Sequence, residues 1–179
     1  GNNIMFNIHT LGPKDTNCEK AAHYWLEQKK LHGNVILHET LEDAVEKIKK
    51  DTDCILLGCI VYPYLHNIVF KNLNLLKLTD CFVMDTHNML FASRFNEFKK
   101  IKSVGSHPAP KDLISEIHHL NPSIESILFN SNSESALQCA KGTVDACITT
   151  LKAAESNHLT ILHDFGPVPM GFSIHTKIN

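Results

Sequence analysis

The run Thr10-Leu11-Gly12-Pro13-Lys14-Asp15-Thr16-Asn17 leads from the apolar segment Ile4-Met5-Phe6-Asn7-Ile8 into an amphipathic stretch that ends near Lys30. It reads as a strand, a Gly-Pro turn and a helix opened by small hydrogen-bonding residues. The first N–H groups of a helix have no acceptor of their own and lie at its positive end, so a carboxylate or phosphate fits there. An ordinary connection capped by Thr or Asp gives the same residues a purely structural use. Far along the chain Asn130-Ser131-Asn132-Ser133 repeats the pattern. There Ser131, Asn132 and Ser133 form either a second anion nest or another helix cap.

Three further candidates carry chemistry. Ser106 and His107 occupy a strand-to-helix turn, Ser106-His107-Pro108-Ala109-Pro110. An imidazole titrates near neutrality, so His107 can donate to a ligand or deliver a proton, or it can brace the turn through backbone hydrogen bonds. Arg94 is the chain's single arginine. Its forked guanidinium suits a carboxylate, and a solvated surface position is the alternative. No metal is expected: twelve histidines are present, but no H-E-x-x-H and no paired Cys/His spacing.

A chain of 179 residues makes one domain of ordinary size or two small lobes that share strands. A net charge of −2 gives no broad basic field, which argues against nucleic acid. No apolar run approaches the length of a bilayer span, and no secretory signal is visible. Six scattered cysteines without C-x-x-C spacing fit a reducing, cytoplasmic compartment. Gly1-Asn2-Asn3 are set aside as a cloning remnant.

Strand-like and helix-like runs alternate throughout, the mark of an α/β protein with mainly parallel pairing. Thr40 caps a helix over 40–48 whose Leu41, Ala44, Val45 and Ile48 share a face. Residues 54–61 read as a strand buried on both faces. Leu113, Ile114, Ile117 and Leu120 give a helix over 111–120 its apolar face. Residues 124–129 form a strand, and a helix over 134–141 ends at Gly142 in a left-handed cap. Further strands follow at 145–150, 159–162 and 170–175. In such sheets ligands bind beyond the C-terminal ends of strands, where the two polar turns would converge.

Thr10-Leu11-Gly12-Pro13-x-x-Thr16 with Glu19 and Ala21-Ala22 resembles the opening motif of prephenate dehydratases. Val104-Gly105-Ser106-His107-Pro108 resembles their Ser-His-Pro segment. Asn130-Ser131-Asn132-Ser133-x-x-Ala136, followed by Gly142-x-x-Asp145-Ala146, resembles their Ser-x-x-Ala-Ala helix opening. The order holds from about Phe6 to Lys177. The family's Thr-Arg-Phe, expected within 164–173, is missing, and no regulatory ACT domain follows. The ending Pro169-Met170-x-x-Ser173 instead is similar to the non-aromatising prephenate decarboxylases of the bacilysin pathway and similar antibiotic or cyanobacterial peptide pathways.

The resemblance implies a two-lobed fold of periplasmic-binding-protein type II with a central cleft. It places a single domain over 4–179, with one lobe of about 4–84 plus 167–179 and another of about 85–166. The crossings fall near Met84–Asn88 and Phe165–Pro167. It implies decarboxylation of prephenate, or a similar oxo-diacid, without metal or organic cofactor. Dehydration to phenylpyruvate and non-catalytic anion binding remain as alternatives. His107 and Thr16 are the expected catalytic residues. Thr10, Gly12, Asn17, Tyr64, Asn67, Arg94, Ser106, Ser131, Asn132 and Ser133 are expected to bind substrate. Tyr64 and Asn67 stand where the dehydratases carry a Glu-Asn-Ser segment lining the cleft. The expected partner is a small carboxylate, with neither nucleic acid nor membrane, and a homodimer is left open.

Overall fold

The computed structural model describes residues 5–179, so Ile4 of the first apolar segment and residues 1–3 lie outside the described residues. In chain order the first elements are β1 (Phe6–Leu11), α1 (Asn17–Lys29), β2 (Gly33–His38), α2 (Leu41–Ile48), β3 (Cys54–Cys59), α3 (Leu65–Lys71) and β4 (Leu76–Asp85). There follow β5 (Met89–Ser93), β6 (Ser103–Ser106), β7 (Glu125–Leu128), α4 (Asn132–Lys141), β8 (Ala146–Thr150), α5 (Leu151–Ser156), β9 (Thr160–Gly166) and β10 (Pro169–Lys177). Internal contacts divide the chain into two compact units, Gly1–Met84 with Pro169–Asn179, and Asp85–Val168.

The first unit holds a sheet of order β2-β1-β3-β10-β4. Side chains alternate along β3, so each face of the sheet takes a helix. Ile55 and Leu57 meet Cys18, Ala21, Ala22 and Leu26 of α1, with Phe172 and Ile174 completing that cluster. Cys54 and Leu56 meet Leu41, Ala44, Val45 and Ile48 of α2. Leu57 is fully buried, and its truncation to Ala should cost about 2–5 kcal/mol. As its sequence suggests, Thr40 caps α2, its hydroxyl accepting from the Asp43 N–H at 3.0 Å.

The second unit holds a sheet of order β7-β6-β8-β5-β9. Ala136 and Cys139 of α4 and Ala153 and Ala154 of α5 cover one face, on Leu90, Ala92 and Cys147. Phe91, Val104, Ala146 and Ile148 fill the other with Ile101 and Ile117. Gly142 ends α4 in the left-handed conformation, at φ 89°, as expected of a glycine C-cap.

Three expectations need correction. Pairing is mixed rather than mainly parallel. β1 runs parallel to β2 and β3, and β6 to β7 and β8, but β10 is antiparallel to β3 and β5 is antiparallel to β8 and β9. The helix over 111–120 is a short 3₁₀ turn, Lys111–Glu116. Pro108 and Pro110 ahead of it and Asn121-Pro122 behind it leave little room for regular helix, yet Leu113, Ile114, Ile117 and Leu120 still pack on the sheet. Residues after Cys59, read as strand through Val61, turn instead into α3. Among the described residues no helix is long and apolar enough to cross a membrane. All six cysteines are free thiols.

Candidate active site

In the first unit the parallel strand β1 delivers the chain to Gly12, whose N–H donates to the His38 carbonyl at 2.7 Å. Asp15 takes a positive φ of 72°, and Thr16 then stands at the N-cap of α1 in extended conformation. Glu19 reaches back to accept the Asp15 N–H at 2.8 Å, close to the reciprocal pattern that Thr-x-x-Glu spacing announces. The Thr16 side chain does not complete it. Thr16 makes no capping hydrogen bond, and its buried hydroxyl oxygen has no partner. The purely structural use of Thr16 as a cap is therefore absent. Asn17 opens the helix beside it.

Thr10 is fully buried and donates to the Leu57 carbonyl at 2.8 Å, which ties β1 to β3 beneath this turn. Beyond β3, Tyr62 accepts the Leu41 N–H and donates to Glu42 at 2.6 Å. Burial and that carboxylate push its phenol up to about 12. Tyr64 is exposed and left-handed at φ 62°, and its ring meets His66 edge-on. Asn67 is exposed on α3.

In the second unit β6 and β7 run parallel with Ser106 opposite Leu128, and the Phe129 N–H donates to the Ser106 carbonyl. The ends of these strands bring Ser106 and His107 beside the turn that opens α4. Ser131 is a true cap, its hydroxyl accepting the Glu134 N–H at 3.0 Å. By helix geometry the N–H groups of Asn132 and Ser133 have no intrahelical acceptor. The buried Asn132 side-chain oxygen has no partner. Thr149, which the sequence reading passed over, donates to the Asn132 carbonyl at 2.7 Å and fixes the start of α4. Only its place at the C-terminal end of a parallel strand could have singled it out.

Ser106 is buried, and its hydroxyl donates to the His107 carbonyl at 2.7 Å. His107 Nδ1 accepts the Ala109 N–H at 3.2 Å, so in the neutral ring Nε2 carries the proton. Burial holds this imidazole below its ordinary value. His107 thus braces its turn and keeps one N–H donor.

Arg94 is not gathered with these groups. Its Nε donates to the Cys139 carbonyl at 2.7 Å and a terminal nitrogen to the Val144 carbonyl at 3.3 Å. The guanidinium lies over Phe95 and 3.7 Å from Asp145. It satisfies the C-terminal end of α4, a helix about 15 Å long, whereas Ser131 and Asn132 sit at the start. Thr86 and Val168 are paired by two hydrogen bonds, 2.9 and 3.0 Å, where the chain passes between its two units.

Among the described residues, two buried side-chain polar atoms lack a partner, Thr16 Oγ1 and Asn132 Oδ1. Each stands at the start of a helix that follows a parallel strand, one in each unit. Buried polar groups are normally paired, so each marks a place where an external partner would be welcome.

Comparison with known proteins fits this architecture. Two relatives named prephenate decarboxylase align over nearly the whole chain. That of Planktothrix agardhii is 28% identical, covering 95% of this chain and 87% of its own length. That of Bacillus subtilis is 26% identical, covering 97% and 87%. The fold is similar to that of a prephenate dehydratase from Arthrobacter aurescens solved with L-Phe, at a TM-score of 0.71 and 17% identity. That match covers 97% of this chain, which spans only 61% of the dehydratase's length. A periplasmic domain of BvgS from Bordetella pertussis is similar in fold as well, with a TM-score of 0.58, 13% identity and coverage of 97% and 80%. The family model described as prephenate dehydratase matches residues 8–165. With that match spanning both sheets and both helix-opening turns, the chain belongs to the prephenate dehydratase family.

Proposed function

We propose that this protein decarboxylates prephenate, or a closely similar oxo-diacid, without making the ring aromatic. The observation that carries the reading is the pair of unpartnered buried atoms, Thr16 Oγ1 and Asn132 Oδ1, each beside the first N–H groups of a helix. In this reading the hydroxyl of Thr16, at the start of α1, donates to a substrate carboxylate. The α4 start, with Ser131, Asn132 and Ser133, offers unpaired N–H groups that likewise suit a carboxylate. Asn132 Oδ1, buried without a partner, is an acceptor suited to a hydroxyl or N–H donor. Relatives named prephenate decarboxylase support the choice of substrate.

The choice of reaction rests on what would have to leave. Dehydration expels hydroxide with CO2 and needs a strong donor at the departing oxygen. The chain lacks the family's Thr-Arg-Phe, and its one arginine is bonded to the end of α4. Decarboxylation asks less of the site. The electron pair of the C–CO2 bond forms a new ring double bond, the displaced π pair takes up one proton at ring carbon, and the hydroxyl stays. His107, whose imidazole burial holds below its ordinary value, serves this reaction as an Nε2–H donor to substrate, and the proton itself comes from water. No metal or organic cofactor enters these steps.

CO2 release from prephenate, with phenylpyruvate assayed in the same sample, tests the proposal at mildly alkaline pH, where prephenate does not aromatise unaided. CO2 without phenylpyruvate is expected. Equal amounts of both would make the protein a dehydratase. A thermal shift with no CO2 would make it a non-catalytic binder.

A further inference from the structure

A polar cluster lies on the α2-covered face of the first sheet, and the candidate active site uses none of its residues. His9 is 3% exposed, and its Nε2 is 2.8 Å from Asp51 Oδ2. Cys54, 2% exposed, places its sulfur near both, so that the three potential ligand atoms lie within 4.8 Å of one another. Register explains the meeting: Asn7 pairs with Cys54 and His9 with Leu56, which puts Asn7, His9 and Cys54 on one face. No sequence motif announces the group, because His9 comes from β1 while Asp51 and Cys54 come from the segment that leads into and opens β3.

We propose that His9, Asp51 and Cys54 form a structural site for a zinc-class divalent ion, tying β1 to the segment that leads into β3. One imidazole, one carboxylate and one thiolate are a donor set that zinc and cobalt favour, with a water completing a tetrahedron. At bond lengths of about 2.0–2.3 Å the ligand atoms should stand about 3.3–3.6 Å apart. The His9–Asp51 edge must therefore open by about half an ångström, and the sulfur edges close by at most about 1.2 Å.

The surroundings are those of a supported site. A metal-bound imidazole usually gives its other N–H to an acceptor, and a ligating carboxylate is usually hydrogen-bonded in turn. His9 Nδ1 is 2.8 Å from His38 Nε2, and the two rings stack with centroids 5.0 Å apart. Asn7 donates to Asp51 Oδ2 at 2.8 Å. Lys177 donates to the carbonyls of Lys49 and Asp51, fixing the backbone that carries the carboxylate. The Asp51 side chain keeps 24% exposure, which leaves a route of entry.

Cobalt(II) titration of the full chain, stripped with chelator, provides the test. The expected result is one equivalent bound, with tetrahedral d–d bands and a thiolate-to-cobalt charge-transfer band, both erased by added zinc. Cys54→Ser should remove the charge-transfer band, and Asp51→Asn, at a partly exposed position, should lower affinity at least tenfold. His38→Ala should weaken binding roughly 10–100-fold through loss of the acceptor on His9. Absence of the charge-transfer band in the wild-type protein would overturn the proposal. So would its survival in Cys54→Ser, or binding by surface histidines alone.

Discussion

Replacing Thr16 with Val separates support of the fold from service to a ligand. Valine keeps the side-chain shape and the β-branching suited to the extended N-cap conformation, and removes only the hydroxyl. That hydroxyl is buried, makes no cap bond and has no partner. An unsatisfied buried polar group costs about 1–3 kcal/mol, so its removal should stabilise the ligand-free protein by about 1 kcal/mol. For a chain of this size the midpoint of thermal unfolding should rise by about 2–4 °C. A hydrogen bond to a carboxylate has a net value of about 1.5–3 kcal/mol, which corresponds to a loss of roughly 10- to 150-fold in kcat/KM. Calorimetry and a prephenate-consumption assay on the same preparations read both quantities. A lower midpoint with unchanged turnover would refute the reasoning, since it would make Thr16 an ordinary cap.

Ser131→Ala supplies the contrast: its hydroxyl does cap α4, so it should cost about 1 kcal/mol of stability, read as a lower denaturant midpoint. Arg94→Met removes two hydrogen bonds and an ion pair at the end of α4; it should cost about 2 kcal/mol and leave kcat/KM near wild type. Burial lowers His38, His107 and His175, so between their folded values and about 6.5 the unfolded chain binds more protons. Urea unfolding should therefore show stability complete above that range and falling as pH drops through it. Asp51 and Asp80 are lowered chiefly by hydrogen bonds from Asn7 and Trp25, so they add stability above their unfolded value of about 3.9 that is lost below it.

The helix α2 with its Thr40 cap and the Gly142 end of α4 were legible in the chain because each rests on local chemistry. Thr40 and Gly142 do what their residue types suggest, and the buried faces of α1 and α2 follow the apolar spacing. Strand direction was not legible. β3 is apolar throughout, which suits a strand covered on both faces, but nothing in it says that β10 will return antiparallel beside it. Residues 111–120 carry helical spacing, and flanking prolines override it. At the two helix-opening turns the sequence treats Thr16 and Ser131 alike. Only the fold distinguishes a hydroxyl that caps from one left without a partner. Likewise a lone arginine suggests a ligand contact until its two carbonyl partners are seen.

The most direct test of the central claim is the proton NMR spectrum of the product formed from prephenate. The account predicts loss of one carboxylate with the proton on the hydroxyl-bearing ring carbon retained, a new proton on ring carbon and no aromatic resonances beyond a protein-free control. Aromatic resonances of phenylpyruvate growing in step with prephenate loss would contradict it.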